Sequence, residues 1–276
     1  MKNIKNNKNI KGITLIEILI SIVISTLMMA AMFTSYNVVN GSYSQIIDKA
    51  NISNSSRVFV EMITKEIRMA GFKYFDDNKL TNTNNIFDIP IEIQKDPANT
   101  CCDKLIIIYG DFDEKKIGDE KFIRYKITYE GQQQQEIKNG VKVNIVGIYE
   151  IIKSKEKWVN GQWVEGDRNL LRDDQLYSKE VVASYVSDIE FTAIDKLGIR
   201  ITPPPSYTNV NKDKIYSIYN VEMFLTFRSK KDFFRDSKKR TINSTHDELR
   251  DQKNTDKFLR DSMTITTFTR NLEVYR

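Results

Sequence analysis

The sequence has little of the chemistry from which catalytic and metal sites are built. Its 276 residues include one histidine and two cysteines. These are too few for a disulfide framework or a zinc site. A Ser-His-Asp or Cys-His site would have to be built on His246, and no recognisable motif places a serine or cysteine beside it. We therefore expect a non-enzymatic protein that needs no metal or other cofactor.

Acidic residues are missing from the first twelve positions, which carry Lys2, Lys5, Lys8 and Lys11. The whole chain has 42 basic and 37 acidic side chains, and without this segment 38 and 37 remain. The basic excess therefore belongs to a leader, and it does not indicate that the rest of the chain binds nucleic acid. A hydrophobic content of 40% and a charged content of 29% are typical of a folded body.

Proline is absent from residues 13–72, so nothing there forces a helix to break. Residues 13–33 are apolar apart from a few small polar side chains, and Glu17 is the only ionisable residue among them. A helix of that length spans roughly 30 Å, the thickness of a bilayer hydrocarbon core. Because the lysines before it stay in the cytoplasm, we expect a single-pass inner-membrane protein whose C-terminal domain lies in the periplasm.

Beyond residue 33 the pattern becomes amphipathic, with apolar residues at helical spacing on one face. Charged residues, including Glu66, occupy the other positions, and Gly71 is a suitable C-terminal stop. We predict one helix over residues 13–72, with a transmembrane first half (13–33) and a second half that packs against a globular domain. The predicted packing face consists of Ile52, Phe59, Ile63, Ile67 and Ala70.

From about residue 100 the periodicity is that of strands separated by turn-rich stretches. Between residues 122 and 129, for example, isoleucine and tyrosine alternate with polar residues. An antiparallel β-sheet laid across the helix satisfies both patterns and gives an α+β fold. Residues 73–276 form this domain, with a charged insertion around 228–262. The predicted strands are 105–109, 122–129, 141–152, 181–193, 215–227 and 263–272.

A small residue, Gly12, precedes the apolar run, whereas a secretory signal places its cleavage site after the run. Residues 11–20, Lys-Gly-Ile-Thr-Leu-Ile-Glu-Ile-Leu-Ile, resemble the processing motif of type IV prepilins and type II secretion pseudopilins. The resemblance implies that prepilin peptidase cuts between Gly12 and Ile13, which removes the leader 1–12. It also implies N-methylation of Ile13, although the family usually has phenylalanine at that position.

Glu17 needs a partner, because a carboxylate in hydrocarbon costs on the order of a few kcal/mol. The resemblance implies that Glu17 pairs with the N-terminal amine of a neighbouring subunit and sets the axial register of filament packing. The alternative is a glutamate near a helix end that only snorkels to the membrane interface.

Residues 67–72, Ile-Arg-Met-Ala-Gly-Phe, look like the end of the long helix in the PilW family of minor pilins. J-type pseudopilins share a looser version. The PilW resemblance implies a type IV pilin fold and a role in initiating pilus assembly, in or near the pilus tip. It also implies other minor and major pilins, prepilin peptidase and the inner-membrane assembly platform as partners. A J-type pseudopilin of type II secretion and a DNA-uptake or adhesive pilin are the alternatives.

Cys101 and Cys102 are adjacent, so they either form a vicinal disulfide, pair with a partner protein or remain thiols. An acidic loop over residues 111–120 has oxygen ligands for calcium but lacks the spacing of an EF-hand, so we interpret it as a solvated hairpin. Its acidic residues are Asp111, Asp113, Glu114, Asp119 and Glu120.

Seven basic residues and two phenylalanines lie in residues 228–240. This composition is compatible with nucleic acid, but a mobile insertion between the last two strands explains it as well. We expect the insertion, and we do not expect nucleic acid as a partner. Residues 245–261 are predicted to form a short helix capped near Ser244.

Overall fold

The structure is a computed structural model that describes residues 14–72, 90–97, 101–112, 122–159, 162–165, 176–206, 208, 210–244, 250 and 252–272. The chain has two compact units, Met1–Ile47 and Asp48–Arg276. A single α-helix, α1 (Leu15–Met69), runs through the end of the first unit and the start of the second. The predicted long helix is therefore confirmed.

The helix ends where the sequence indicates. Gly71 has a φ of +67°, in the left-handed region that glycine adopts without steric cost. A Cβ at this position would lie 2.5 Å from Cδ2 of Leu272. Gly71 thus ends the helix and also permits a close approach of the C-terminal segment.

In the second unit, α1 buries the predicted apolar face, from Ile52 to Ala70. Ser56 is also buried, and its hydroxyl donates to the carbonyl oxygen of Ser53 at 2.9 Å. Glu66 lies outside this apolar face, as predicted, but its side chain is only 12% exposed and pairs with Lys153 of the sheet. The helix therefore buries a charged residue beside its apolar stripe.

The sheet is antiparallel throughout, which confirms the predicted α+β architecture. Its strand order is β1-β2-β3-β4-β6-β7-β10, and β5 pairs with β4. A separate hairpin consists of β8 and β9. The strands are β1 (Ile91–Gln94), β2 (Lys104–Phe112), β3 (Phe122–Lys138), β4 (Val141–Val159), β5 (Gln162–Glu165), β6 (Tyr177–Ile194), β7 (Asn220–Arg228), β8 (Lys238–Ile242), β9 (Gln252–Asp256) and β10 (Arg260–Phe268).

The core lies between the helix face and one face of the sheet. In β3 the alternate residues Ile123, Tyr125, Ile127 and Tyr129 are buried, as their pattern predicts. The ring of Tyr129 meets that of Phe59 edge to face, with the ring centres 6.1 Å apart. Such aromatic pairs add to the burial energy that holds the helix on the sheet.

Two secondary-structure predictions were wrong. The region predicted as a strand over 215–227 begins with a short 3-10 helix, Lys212–Ser217, and β7 starts only at Asn220. The predicted helix over 245–261 does not occur in its described residues, because 252–256 and 260–268 are strands. Cross-strand pairing of β9 with β8 outweighs the local helical preference of this polar stretch.

Candidate functional site: the apolar N-terminal helix

The N-terminus of α1 is closed by a reciprocal pair of hydrogen bonds. The backbone N–H of Thr14 donates to Oε2 of Glu17 at 2.8 Å, and the N–H of Glu17 donates to Oγ1 of Thr14 at 3.4 Å. The Thr14 hydroxyl also donates to Oε2 at 2.9 Å. This is a capping box, in which Thr14 is the N-cap and Glu17 is the third helical residue.

The sequence contained the signal for this box, a threonine followed three residues later by a glutamate before an apolar run. The roles expected for Glu17 from the sequence, pairing with the amine of a neighbouring subunit or snorkelling to the interface, did not include this capping role. The carboxylate lies at the positive end of the helix dipole, which favours its negative charge. The Glu17 carboxylate therefore accepts hydrogen bonds within its own chain, even without a neighbouring subunit.

The first unit presents an apolar surface. Every described residue from 14 to 47 is exposed, including Leu15, Met29 and Phe33. By length and composition, α1 is able to cross a membrane. A contiguous apolar surface of this size requires cover from lipid or from other helices. The predicted cleavage residues Gly12 and Ile13 lie outside the described residues, so the cleavage site stays a prediction.

A buried ion pair holds the helix to the sheet in the second unit. Lys153 on β4 donates to Oε1 of Glu66 on α1, and the Tyr129 hydroxyl donates to Oε2. The Lys153 side chain is 7% exposed, and its Nζ lies 5.2 Å from the ring centre of Tyr177. Burial, together with the charge of Glu66, raises the pKa of Tyr129. Tyr129 thus stays a hydrogen-bond donor at physiological pH.

A second buried polar cluster lies on the other side of the sheet. Arg250 is 5% exposed, and it donates to Oδ1 of Asp103 at 2.5 Å and to Oδ1 of Asp188. Lys95 donates to Oδ2 of Asp103 at 2.7 Å. Burial raises the pKa of Asp188 to about 6, although Arg250 opposes this shift. Burial lowers the pKa of Arg250, but the negative charges of Asp103 and Asp188 raise it by more, so the net shift is upward.

The sequence did not reveal this cluster, because Asp188 and Glu190 occupy the positions of β6 that alternation assigns to solvent. They are buried because Arg250, from the insertion, covers that face. The insertion thus contributes an interior residue, although its composition is that of a solvated loop. The separation of 62 residues between Asp188 and Arg250 gives no local sequence signal.

The sulfur atoms of Cys101 and Cys102 are bonded to each other. The N–H of Cys101 donates to Oδ2 of Asp96 at 3.2 Å, and Cys101 is buried. A Cβ on Gly131 would lie 2.2 Å from the Cβ of Cys102, so only glycine fits there. The role of this cysteine pair in the cell stays a prediction.

Most of the remaining candidate residues lie outside the described part of the chain. Asp111 is exposed at the end of β2, and the other four acidic residues of the proposed calcium loop lie outside the described residues, as does His246. In the part of the chain that is described, no group of histidine, cysteine or carboxylate side chains has the arrangement of a metal site.

Comparison with known proteins bears mainly on the N-terminus. A family model of the prokaryotic N-terminal methylation motif matches residues 7–33. No curated relative matches the chain. One similar solved structure is a type IV-like pilin from Thermus thermophilus, with a TM-score of 0.46 and 10% identity over 80% of this chain and 96% of that one. Residues 7–33, which include Gly12, Ile13 and Glu17, thus carry the prokaryotic N-terminal methylation motif.

Proposed function

We propose that this protein is a minor pilin of the PilW type, which takes part in initiating type IV pilus assembly and sits in or near the pilus tip. The supporting observation is the exposed apolar surface of residues 14–47 with one carboxylate, Glu17, at its start. The methylation motif at residues 7–33 supports the same role. The protein contributes packing surfaces and no chemistry of its own.

In this proposal the apolar helix holds the precursor in the inner membrane, with the leader in the cytoplasm and residues 73–276 in the periplasm. Prepilin peptidase cuts after Gly12, and the helix then packs against the helices of other minor and major pilins on the assembly platform. Ile13, which carries the new amine, is four residues before Glu17 in the sequence. In this proposal the amine of a neighbouring subunit pairs with the Glu17 carboxylate. Pairing of opposite charges in a low-dielectric environment fixes the axial register.

Two substitutions separate the charge of Glu17 from its capping function. Glu17→Gln retains an oxygen that accepts from Thr14 but removes the negative charge, whereas Glu17→Ala removes both. We expect both variants to be processed, and both to reach the sheared pilus fraction about tenfold less than the parent protein, because the ion pair is lost. Immunoblotting of cells and of sheared filaments measures this ratio.

The matched control is Glu61→Gln, which removes an exposed carboxylate from the same helix. It is expected to assemble like the parent protein. If Glu17→Gln assembles as well as Glu61→Gln, the charge of Glu17 has no part in assembly and the proposed mechanism is wrong.

A further inference from the structure

A groove of about 510 Å³ lies within the second unit, between α1 and one end of the sheet. Residues 48–58 of α1 form one wall, and residues 181–185 of β6 form another. The end of β7 contributes Phe227 and Arg228, and the chain after it contributes Lys230. We call it the basic groove. Its volume is within the range of about 300–1,000 Å³ that ligand sites occupy. Val58 and Val181 line it and are 58% and 48% exposed, so it offers apolar contact as well.

The groove contains a free strand edge. β6 pairs with β7 only from Val186, which lies opposite Phe227, to Ile194. Residues 180–185 of β6 continue to pair with β4 on one side. On the other side no strand of the described chain pairs with them, because β7 ends at Arg228. The N–H of Tyr185 donates to Oε1 of Gln134 at 3.2 Å. Residues 180–184 present the remaining backbone N–H and C=O groups of this edge, and another extended backbone is able to pair with them.

The groove is basic at the end where β7 leaves it. Arg228 and Lys230 line it. Nearby in the chain Lys231, Arg235, Lys238 and Lys239 are exposed and outnumber the two exposed acids of that stretch, Asp232 and Asp236. Asp48 is the one acidic residue among the described residues that line the groove. Burial lowers the pKa of Arg228 to about 10, which still leaves the guanidinium charged at neutral pH. Nε of Arg228 is buried without a hydrogen-bond partner among the described atoms. The charge of the groove therefore favours an acidic occupant.

The aromatic residues of the insertion do not form an open platform for bases. The guanidinium of Arg228 lies 3.7 Å from the ring centre of Phe258, and that of Arg240 lies 3.5 Å from the ring centre of Phe234. Phe233 packs against the edge of Phe234, with ring centres 4.8 Å apart. Binding of single-stranded nucleic acid relies on bases stacked on open ring faces. This arrangement favours a peptide over DNA.

We propose that the basic groove binds an acidic, extended peptide segment of a partner protein, which adds as a strand to the free edge of β6. Main-chain hydrogen bonds to residues 180–184 supply affinity, and Arg228 and Lys230 select acidic side chains. The site lies in the unit that begins at Asp48, so its test does not depend on cleavage after Gly12 or on filament assembly.

The test uses the full chain in detergent and a fluorescein-labelled peptide of alternating valine and glutamate. Fluorescence anisotropy measures its affinity, with a peptide of alternating valine and lysine and a single-stranded DNA of equal charge as comparisons. Lys230→Glu is the groove variant. Lys239→Glu is the matched control, because it makes the same charge change at an exposed residue that does not line the groove. Hydrogen exchange measured by mass spectrometry reports on the amides of residues 180–184.

The proposal predicts that the valine-glutamate peptide binds and that its addition slows exchange at residues 180–184. It also predicts that Lys230→Glu weakens binding by about tenfold or more, whereas Lys239→Glu changes it by less than about threefold. Four results overturn it: no binding of this peptide, equal losses in the two variants, unchanged exchange at 180–184, or tighter binding of the DNA. Circular dichroism of both variants checks that the fold is retained.

Discussion

Replacement of Lys153 by methionine tests how the helix is held on the sheet. The change keeps most of the side-chain volume and removes the cation that pairs with Glu66. In the parent protein these side chains are 7% and 12% exposed, so little water is available to replace the lost partner. The carboxylate would keep the Tyr129 hydroxyl as its one remaining hydrogen-bond donor among the contacts described. We expect a large loss of stability.

The size of the loss follows from the burial of the pair. Two unit charges about 4 Å apart attract each other by about 4 kcal/mol at an effective dielectric constant of about 20. Removal of one partner from a buried pair costs about 3–5 kcal/mol, because the other charge stays buried without compensation. Since Glu66 retains a hydrogen bond from Tyr129, we expect the lower end of that range, about 3 kcal/mol.

The assay is chemical unfolding of the full chain in mild detergent, followed by the fluorescence of Trp158 and Trp163. Lys104→Met is the matched control, because Lys104 pairs with Glu130 at 3.2 Å while these side chains are 36% and 35% exposed. It should cost less than about 1 kcal/mol. The double variant Glu66→Gln/Lys153→Met should recover most of the loss. If Lys153→Met costs no more than Lys104→Met, the ion pair does not hold the helix on the sheet.

Two further substitutions have defined outcomes in the same unfolding assay. Gly131→Ala should destabilise the fold by about 1–3 kcal/mol, because its Cβ would meet the Cβ of Cys102 at 2.2 Å; Gly41→Ala, whose Cβ would meet nothing within 4 Å, should not. In the folded protein burial raises the pKa of Asp188 to about 6, although the charge of Arg250 opposes this shift. The Asp188 carboxyl therefore stays protonated to a higher pH in the folded state than in the unfolded chain. The contribution of Asp188 to stability should therefore be largest below about pH 4 and fall by up to about 3 kcal/mol as the pH rises to about 6. Asp188→Asn should remove that part of the slope, and an unchanged slope would contradict the raised pKa.

The sequence was sufficient for features that depend on local periodicity. The buried helix face at Phe59 and Ile63 follows from spacing at 3.6 residues per turn, and the buried strand face at Tyr125 and Ile127 follows from alternation. Gly71 was recognisable as a helix stop because few other residues tolerate its conformation. Each of these signals extends over a few residues, so no knowledge of the tertiary structure is needed to detect it.

The sequence was not sufficient where distant segments meet. Glu66 and Lys153 are 87 residues apart, and Arg250 and Asp103 are 147 apart, so neither pair has a local signature. Composition gives no hint either, because charged residues usually lie in solvent. The capping box of Thr14 and Glu17 is a different case. Its signal, a threonine three residues before a glutamate, is local and is therefore present in the sequence.

The central claim is that the chain is cut after Gly12 and that the apolar helix is retained for packing with other pilins. Mass spectrometry of the intact protein purified from the membranes of its own cells tests this most directly. Our account predicts a polypeptide that begins at Ile13 and carries one methyl group on its amine, and it predicts an unprocessed chain in cells without prepilin peptidase. A protein from normal cells that still begins at Met1, or one that has lost residues 13–33, would contradict it.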